Sequence, residues 1–243
     1  MDANLFTEMA VLQNSHWWFV SRGRILESVI RKLSLKPDAE ILEIGCGTGG
    51  NLAMLSRFGK LSAMEYDSNA RSIAQQLEIC HVEAGGLPEP LPFENGKYDL
   101  VCLLDVLEHI ENDEEALARV SQLLRPDGRL LVTVPAYAWL WSTHDEAHHH
   151  YRRYTANMLR KRAQQANLTA TKLGYFNTLL FPLIAVARLL GKLSKQAGHS
   201  DAAMPHFVIN SMLRSIFGFE RHLVPKVLFP FGTSILAVLT KAE

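Results

Sequence analysis

Ala39-Glu-Ile-Leu-Glu-Ile-Gly-Cys-Gly-Thr-Gly-Gly50 constrains this chain more than any other stretch. Ile41, Leu42 and Ile44 form a short apolar run, as a buried parallel strand requires. Gly45, Gly47 and Gly49 follow at alternate positions, where the missing Cβ permits a sharp turn and close approach of a ligand. Residues 51–58 read as a helix. Strand, glycine turn and helix N-terminus make the small-molecule crevice of an open α/β sheet. The spacing is not Gly-x-x-x-x-Gly-Lys-Ser/Thr, and it is out of register with Gly-x-Gly-x-x-Gly, so neither a phosphate-cradling loop nor a dinucleotide site is expected.

Glu43-Ile-Gly45-Cys-Gly47-Thr-Gly49 resembles the first motif, E/D-x-G-x-G-x-G, of the class I (Rossmann-like) S-adenosylmethionine (SAM)-dependent methyltransferase superfamily. Leu91-Pro-Phe93 with Tyr98-Asp-Leu-Val101, and Arg125-Pro-Asp-Gly128, match further motifs of that superfamily, and the resemblance covers residues 40–135. It implies a doubly wound α/β fold with a seven-stranded, mostly parallel sheet, SAM as cofactor and S-adenosylhomocysteine (SAH) as product. A carboxylate at Glu43 suits a ligand with a cationic ammonium group. Glu65 ends the second strand about 20 residues after the glycine loop, where it can accept hydrogen bonds from ribose hydroxyls. The cofactor-binding residues expected are Glu43, Gly45, Cys46, Gly47, Gly49, Glu65, Leu104, Tyr66 beside the adenine, and Gly86 and Leu87 at its edge.

The 243 residues suit one α/β domain with additions, and 48% apolar content supplies a sizeable core. Lys and Arg balance Asp and Glu at 25 each, which gives no global electrostatic case for nucleic acid. Cys46, Cys80 and Cys102 have no zinc spacing and fit a reducing compartment. The N-terminus lacks the pattern of a signal peptide, and the longest uncharged run, Leu173 to Ala187, is short for a membrane span. The expectation is a cytoplasmic protein with no transmembrane segment.

Four regions are expected: a helical N-terminal lid over 1–36, a SAM-binding core over 37–175, a helical cap insertion over 176–230, and the final strand within 231–243. Residues 4–34 read as helical, with His16-Trp-Trp-Phe19 as an aromatic cluster that either packs the helix or covers the site. Ser68 is the expected cap of a helix over 69–77, and the third strand is expected over 79–83. Strands over 98–104, 129–134 and 168–175 alternate with helices over 112–124 and 156–166. Apolar helices over 176–193 and 204–217 precede the last strand. They complete the core or form a homodimer face; the sharper reading is a pocket for a hydrophobic or lipid-linked acceptor, or a patch peripheral to a membrane.

Acceptor chemistry is expected after the fourth and fifth strands. Asp105, Glu108 and His109 are spaced so that one helical turn puts them on one face. The segment 135–154 is dense in reactive side chains. Tyr137 and Trp141, with Trp18 of the lid, are candidate walls of an acceptor pocket, and Arg152 and Arg153 could hold an anionic acceptor. His144 or one of His148 to His150, with His149 named among them, is the candidate general base, with Asp105 at the site and Asp145 orienting an imidazole. The reading preferred is methyl transfer to an oxygen of a small-molecule acceptor without a metal. The alternative places a divalent ion on Glu108, His109 and a downstream histidine, a pattern that resembles metal-dependent 2′-O-methyltransferases of small RNAs but has Asp105 where those enzymes place Glu. A third reading is a non-catalytic SAM-binding partner subunit.

Overall fold

The apolar runs of the sequence become the strands of one seven-stranded sheet. The computed structural model describes residues 3–194, 204–227 and 229–242. The strands are β1 (Glu40–Ile44), β2 (Lys60–Glu65), β3 (Val82–Ala84), β4 (Tyr98–Leu104), β5 (Leu124–Pro135), β6 (Leu168–Phe176) and β7 (Ser234–Lys241), in the order β3-β2-β1-β4-β5-β7-β6. Pairs among β1 to β5 are parallel, and β7 runs antiparallel to both β5 and β6. All seven residues of β4 are buried, and all but Asp99, which pairs with Arg125, are apolar, as a strand covered on both faces requires. From β1 the chain steps one way to β2 and later returns on the other side as β4. The crevice of such a sheet lies outside the carboxyl ends at that switch point.

Helices cover both faces. The N-terminal pair is α1 (Ala3–Leu12) and α2 (Trp17–Lys32), followed by the short α3 (Leu52–Leu55) and by α4 (Ser68–Gln75). Then come α5 (Asp113–Leu123), α6 (Thr143–Ala147), α7 (Ala156–Gln165), α8 (Phe181–Ser194) and α9 (Phe207–Phe219). Ala116, Leu117 and Val120 of α5 and Leu159 and Ala163 of α7 pack on one face of the sheet. Ile25, Leu26, Val29 and Ile30 of α2, with Phe217 of α9, pack on the other.

Several boundaries differ from the sequence reading. Residues 4–34 form two helices, because the chain turns at 13–15 and His16 restarts it, its Nδ1 accepting the Trp18 N–H at 3.3 Å. Asp67, not Ser68, caps α4: its Oδ1 accepts the N–H groups of Asn69 and Ala70. The third strand is shorter and later than 79–83. Beyond Asn51 the helix lasts only one turn before a 3-10 turn at Ser56–Phe58. The first cap helix starts at Phe181 rather than 176, with Pro182 in its first turn. Residues Asn177, Thr178 and Leu179 instead donate their backbone N–H groups to the buried carboxylate of Glu220, at 2.7–2.8 Å. The second cap helix starts at Phe207 rather than 204. The cap's residues 195–203 lie outside the described residues. Lid and cap share one layer: the Trp17 N–H donates to Asn210 Oδ1 at 2.8 Å, and Ser21 Oγ donates to the Arg214 carbonyl at 3.0 Å.

Candidate active site

The glycine loop bends because Gly45, Gly47 and Gly49 all hold positive φ, at 73°, 56° and 86°. A Cβ on Gly45 would stand 2.6 Å from Val106, and one on Gly47 would meet nothing within 4 Å, so Gly47 forms the open floor of the loop. Glu65 ties the loop to the end of β2: its Oε2 accepts the Gly47 N–H at 2.7 Å and its Oε1 the Asp67 N–H at 2.9 Å. Lone pairs on both oxygens remain for a ligand. Burial pushes this carboxyl above its ordinary range, against the two backbone donors.

A cavity of about 1340 Å³ runs from this loop along the carboxyl ends of β4 and β5, under α1 and α2, to α6 and α8. Of the cofactor residues expected, Gly45, Cys46, Gly47, Glu65, Tyr66, Gly86, Leu87 and Leu104 lie on its wall. Tyr66 is 80% exposed, as a group at the rim is. Glu43 and Gly49 are not on the wall. Glu43 lies behind Asn51, whose Nδ2 donates to Glu43 Oε1 at 2.8 Å and which does line the cavity. Burial pushes the Glu43 carboxyl up to about 7, with the Asn51 bond opposing. Gly49 instead packs toward Leu77, where a Cβ would come within 2.7 Å.

On the acceptor side, Trp18, Trp141, His144, Arg153, Glu108, His109 and Asp105 line the cavity. His149 does not: it is exposed, with φ at 54°, while its neighbours His148 and His150 are on the wall. Tyr137 also lies off the wall, stacked on Tyr175 at 5.2 Å between ring centres. Arg152 turns away to the carbonyls of Ile110 and Glu111 and to Asp113, so it is not available to an acceptor in the cavity. Arg153 reaches the wall but is committed to Asp145, at 2.7 Å.

The far end is a carboxylate–imidazole cluster. Asp145 is fully buried, and its Oδ1 also lies 2.9 Å from His150 Nδ1. Burial opposes its ionisation, but the bonds from His150 and Arg153 and the Arg153 charge hold its carboxyl below the usual range. An ionised Asp145 requires the proton on His150 Nδ1, which leaves the Nε2 lone pair for another partner. His109 packs edge-on against His150, and burial with that neighbour lowers it to about 4. Burial, then His144 and His150, lowers His148 to about 3. Glu108 is buried beside Asp105, and burial followed by that charge raises its carboxyl well above the normal range.

Five buried polar atoms of wall residues have no hydrogen-bond partner among the described residues: His16 Nε2, Arg22 Nε, Asp105 Oδ2, Glu108 Oε2 and Asn177 Oδ1, of which Asp105 Oδ2 is ion-paired with Arg22. Buried polar atoms seldom stay unpaired, so their gathering on one cavity fits a polar ligand there. His16, Asn51 and Asn177 were missed as site residues. His16 stood in the aromatic cluster already noted, but no sequence signal marks the two asparagines. Asn177 holds φ at 55° immediately after β6, a backbone state in which Asn is favoured.

A family model described as a methyltransferase domain matches residues 19–173. The chain is 35% identical over 127 residues to trans-aconitate 2-methyltransferase of Deinococcus radiodurans, covering 50% of this chain and 45% of that protein. It is 29% identical over 124 residues to the O-methyltransferase cnsE of Penicillium expansum, covering 45% and 42%. It thus spans less than half the length of these curated relatives. A Haloferax volcanii complex between the Trm112 methyltransferase activator and a methyltransferase superposes with TM-score 0.65 at 14% identity, over 99% of this chain and 95% of that one. Geranyl diphosphate C-methyltransferase of Streptomyces coelicolor, solved with Mg²⁺, geranyl diphosphate and SAH, superposes with TM-score 0.58 at 12% identity, over 88% and 76%. With a matched domain over most of its length and the sheet order this fold requires, the chain belongs to the methyltransferase-domain family, of the class I SAM-dependent superfamily.

Proposed function

We propose that the chain transfers the methyl group of SAM to a hydroxyl oxygen of a small, largely apolar acceptor. His150, on the cavity wall and 2.9 Å from the buried Asp145 carboxylate behind it, carries this reading. SAM supplies an activated methyl carbon. The protein's part is to align the acceptor, exclude water and take the hydroxyl proton. Trp17, Trp18 and Trp141 wall the acceptor end, and His150 Nε2 is the base, oriented by Asp145. His150 therefore replaces His149 as the candidate base, while His144 stands on the same wall, 6.1 Å from His150 between ring centres. Asp105 is paired with Arg22 at 2.6 Å and acts by positioning. Transfer of radiolabelled methyl from SAM to a panel of hydroxylated apolar compounds tests this. Turnover that falls at least about a hundredfold in His150→Ala supports it. No turnover with any acceptor, from protein that binds SAH, contradicts it.

A second reading is favoured by one observation. Ligand atoms of Glu108, His109 and His150 lie within 4.8 Å of one another, and Glu108 Oε2 is unpartnered. These three could hold a divalent ion, which would acidify an acceptor hydroxyl. Balanced charge argues against an RNA acceptor in either reading. Turnover unchanged by a chelator removes the metal; turnover lost to chelator and restored by added Mg²⁺, Mn²⁺ or Zn²⁺ establishes it.

A further inference from the structure

Helices α8 and α9 expose apolar side chains that no described residue covers. Leu183, Val186 and Leu190 of α8 are 54–60% exposed, at helical spacing. On α9, Phe207 is 78% exposed, and Val208, Met212 and Phe219 are 54–60% exposed. The opposite sides of both helices are occupied: Ile184 and Leu213 pack on the core that holds Leu180 and Phe217. An exposed apolar face of this extent marks a site of contact.

Charge selects the occupant. Residues 176–230 carry six Lys and Arg against Asp201 and Glu220, in a chain with 25 of each sign. Glu220 is the only carboxylate among the described residues of that segment, and it is fully buried under three backbone N–H groups. No described acidic group of residues 176–230 therefore faces outward. Burial, then the nearby charges of Arg214 and Arg221, lower the proton affinity of Arg24 on α2, against the opposing charge of Glu27. Two copies meeting through this surface would oppose like charges across a two-fold axis. An anionic bilayer offers both an apolar interior for the exposed side chains and a negative surface for the basic ones.

The face adjoins the site. Ile184, Ala187 and Arg188 of α8 line the cavity together with Trp17 and Trp18. We propose that the α8–α9 face docks on an anionic lipid bilayer, so that the cavity draws a hydroxyl-bearing acceptor from the membrane. The acceptor half of this inference rests on the methyl-transfer reading above; the docking half does not.

Co-sedimentation of the full chain with vesicles tests the docking half. One set is phosphatidylcholine alone, and the other contains phosphatidylglycerol as well. Expected is at least tenfold more bound protein on the anionic vesicles, with most of it released in about 0.5 M salt. The triple variant Leu183→Ser, Val208→Ser, Met212→Ser changes only exposed positions. It should lose at least tenfold in vesicle binding while its SAH affinity, read by calorimetry, is unchanged. Absence of binding to anionic vesicles overturns the proposal, as does full binding by the triple variant. A dimer in sedimentation velocity that the same variant abolishes, without vesicle binding, gives the face to a second copy and also overturns it. Failure of the methyl-transfer reading is read separately, as wild-type protein that binds vesicles but methylates no extracted lipid or soluble acceptor.

Discussion

Arg22 Nη2 lies 2.6 Å from Asp105 Oδ2, an ion pair that fastens the N-terminal helix α2 to the residue immediately after β4. The same guanidinium donates to Thr133 Oγ1 of β5 at 3.2 Å, and Trp18 lies against it at 5.2 Å. One side chain thus joins α2 to the carboxyl ends of β4 and β5. Asp105 holds φ at 60°, an unfavourable state for a non-glycine residue, kept by this pair and by its N–H bond to the Thr133 carbonyl.

Arg22→Met keeps the length of the side chain and removes the charge. It leaves Asp105 beside the buried Glu108 without the ion pair that now offsets its charge. Asp105 is about a quarter exposed, which reduces the penalty relative to a fully buried pair. The expected loss is about 2–3 kcal/mol of unfolding free energy, measured by urea denaturation. Arg22→Lys should lose less.

Glu65→Ala removes the acceptor for both the Gly47 and Asp67 N–H groups, which hold the glycine loop against β2. Charge-assisted bonds of this kind contribute about 1.5–3 kcal/mol each. SAH affinity should fall about tenfold to a hundredfold by calorimetry. Glu65→Gln, which keeps one oxygen, should retain part of it.

Glu43 predicts a pH dependence with a definite sign. Its folded carboxyl titrates near 7 rather than 4.5, so across that window the folded protein holds a proton that the unfolded chain has released. Its contribution to stability is complete below 4.5 and is lost as pH rises through about 7. The ligand-free protein should lose up to about 1.4 kcal/mol per pH unit from this group. Glu43→Gln should flatten the slope. Urea midpoints at pH values spanning the window check it.

Much of the cofactor half was legible in the sequence because backbone geometry dictates it. Gly45 and Gly47 need positive φ, a carboxylate ends β2, and the buried β4 is apolar save for Asp99. The acceptor half was less legible because side-chain direction there depends on contacts distant in sequence. Among His148, His149 and His150, only the fold decides which imidazole meets Asp145. Arg152 and Arg153 are adjacent, yet one caps the 110–113 turn and the other pairs with Asp145. Glu43 was expected at the cofactor, and the sequence carries no signal that Asn51 stands between it and the cavity.

Asp145→Asn tests the imidazole cluster. The amide keeps the shape but not the charge that holds His150 and Arg153. Turnover with a cognate acceptor should fall about tenfold to a hundredfold, with SAH affinity within twofold of wild type. The split between kcat and cofactor affinity separates this effect from general unfolding.

Titration calorimetry with SAH tests the central claim most directly, that the loop at Gly47 and Glu65 seats the nucleoside of SAM. The prediction is one-to-one binding to the wild-type chain, abolished by Gly47→Val, whose side chain would fill the open floor and strain a backbone at φ 56°. Absence of heat with folded wild-type protein, or equal affinity in Gly47→Val, would contradict it.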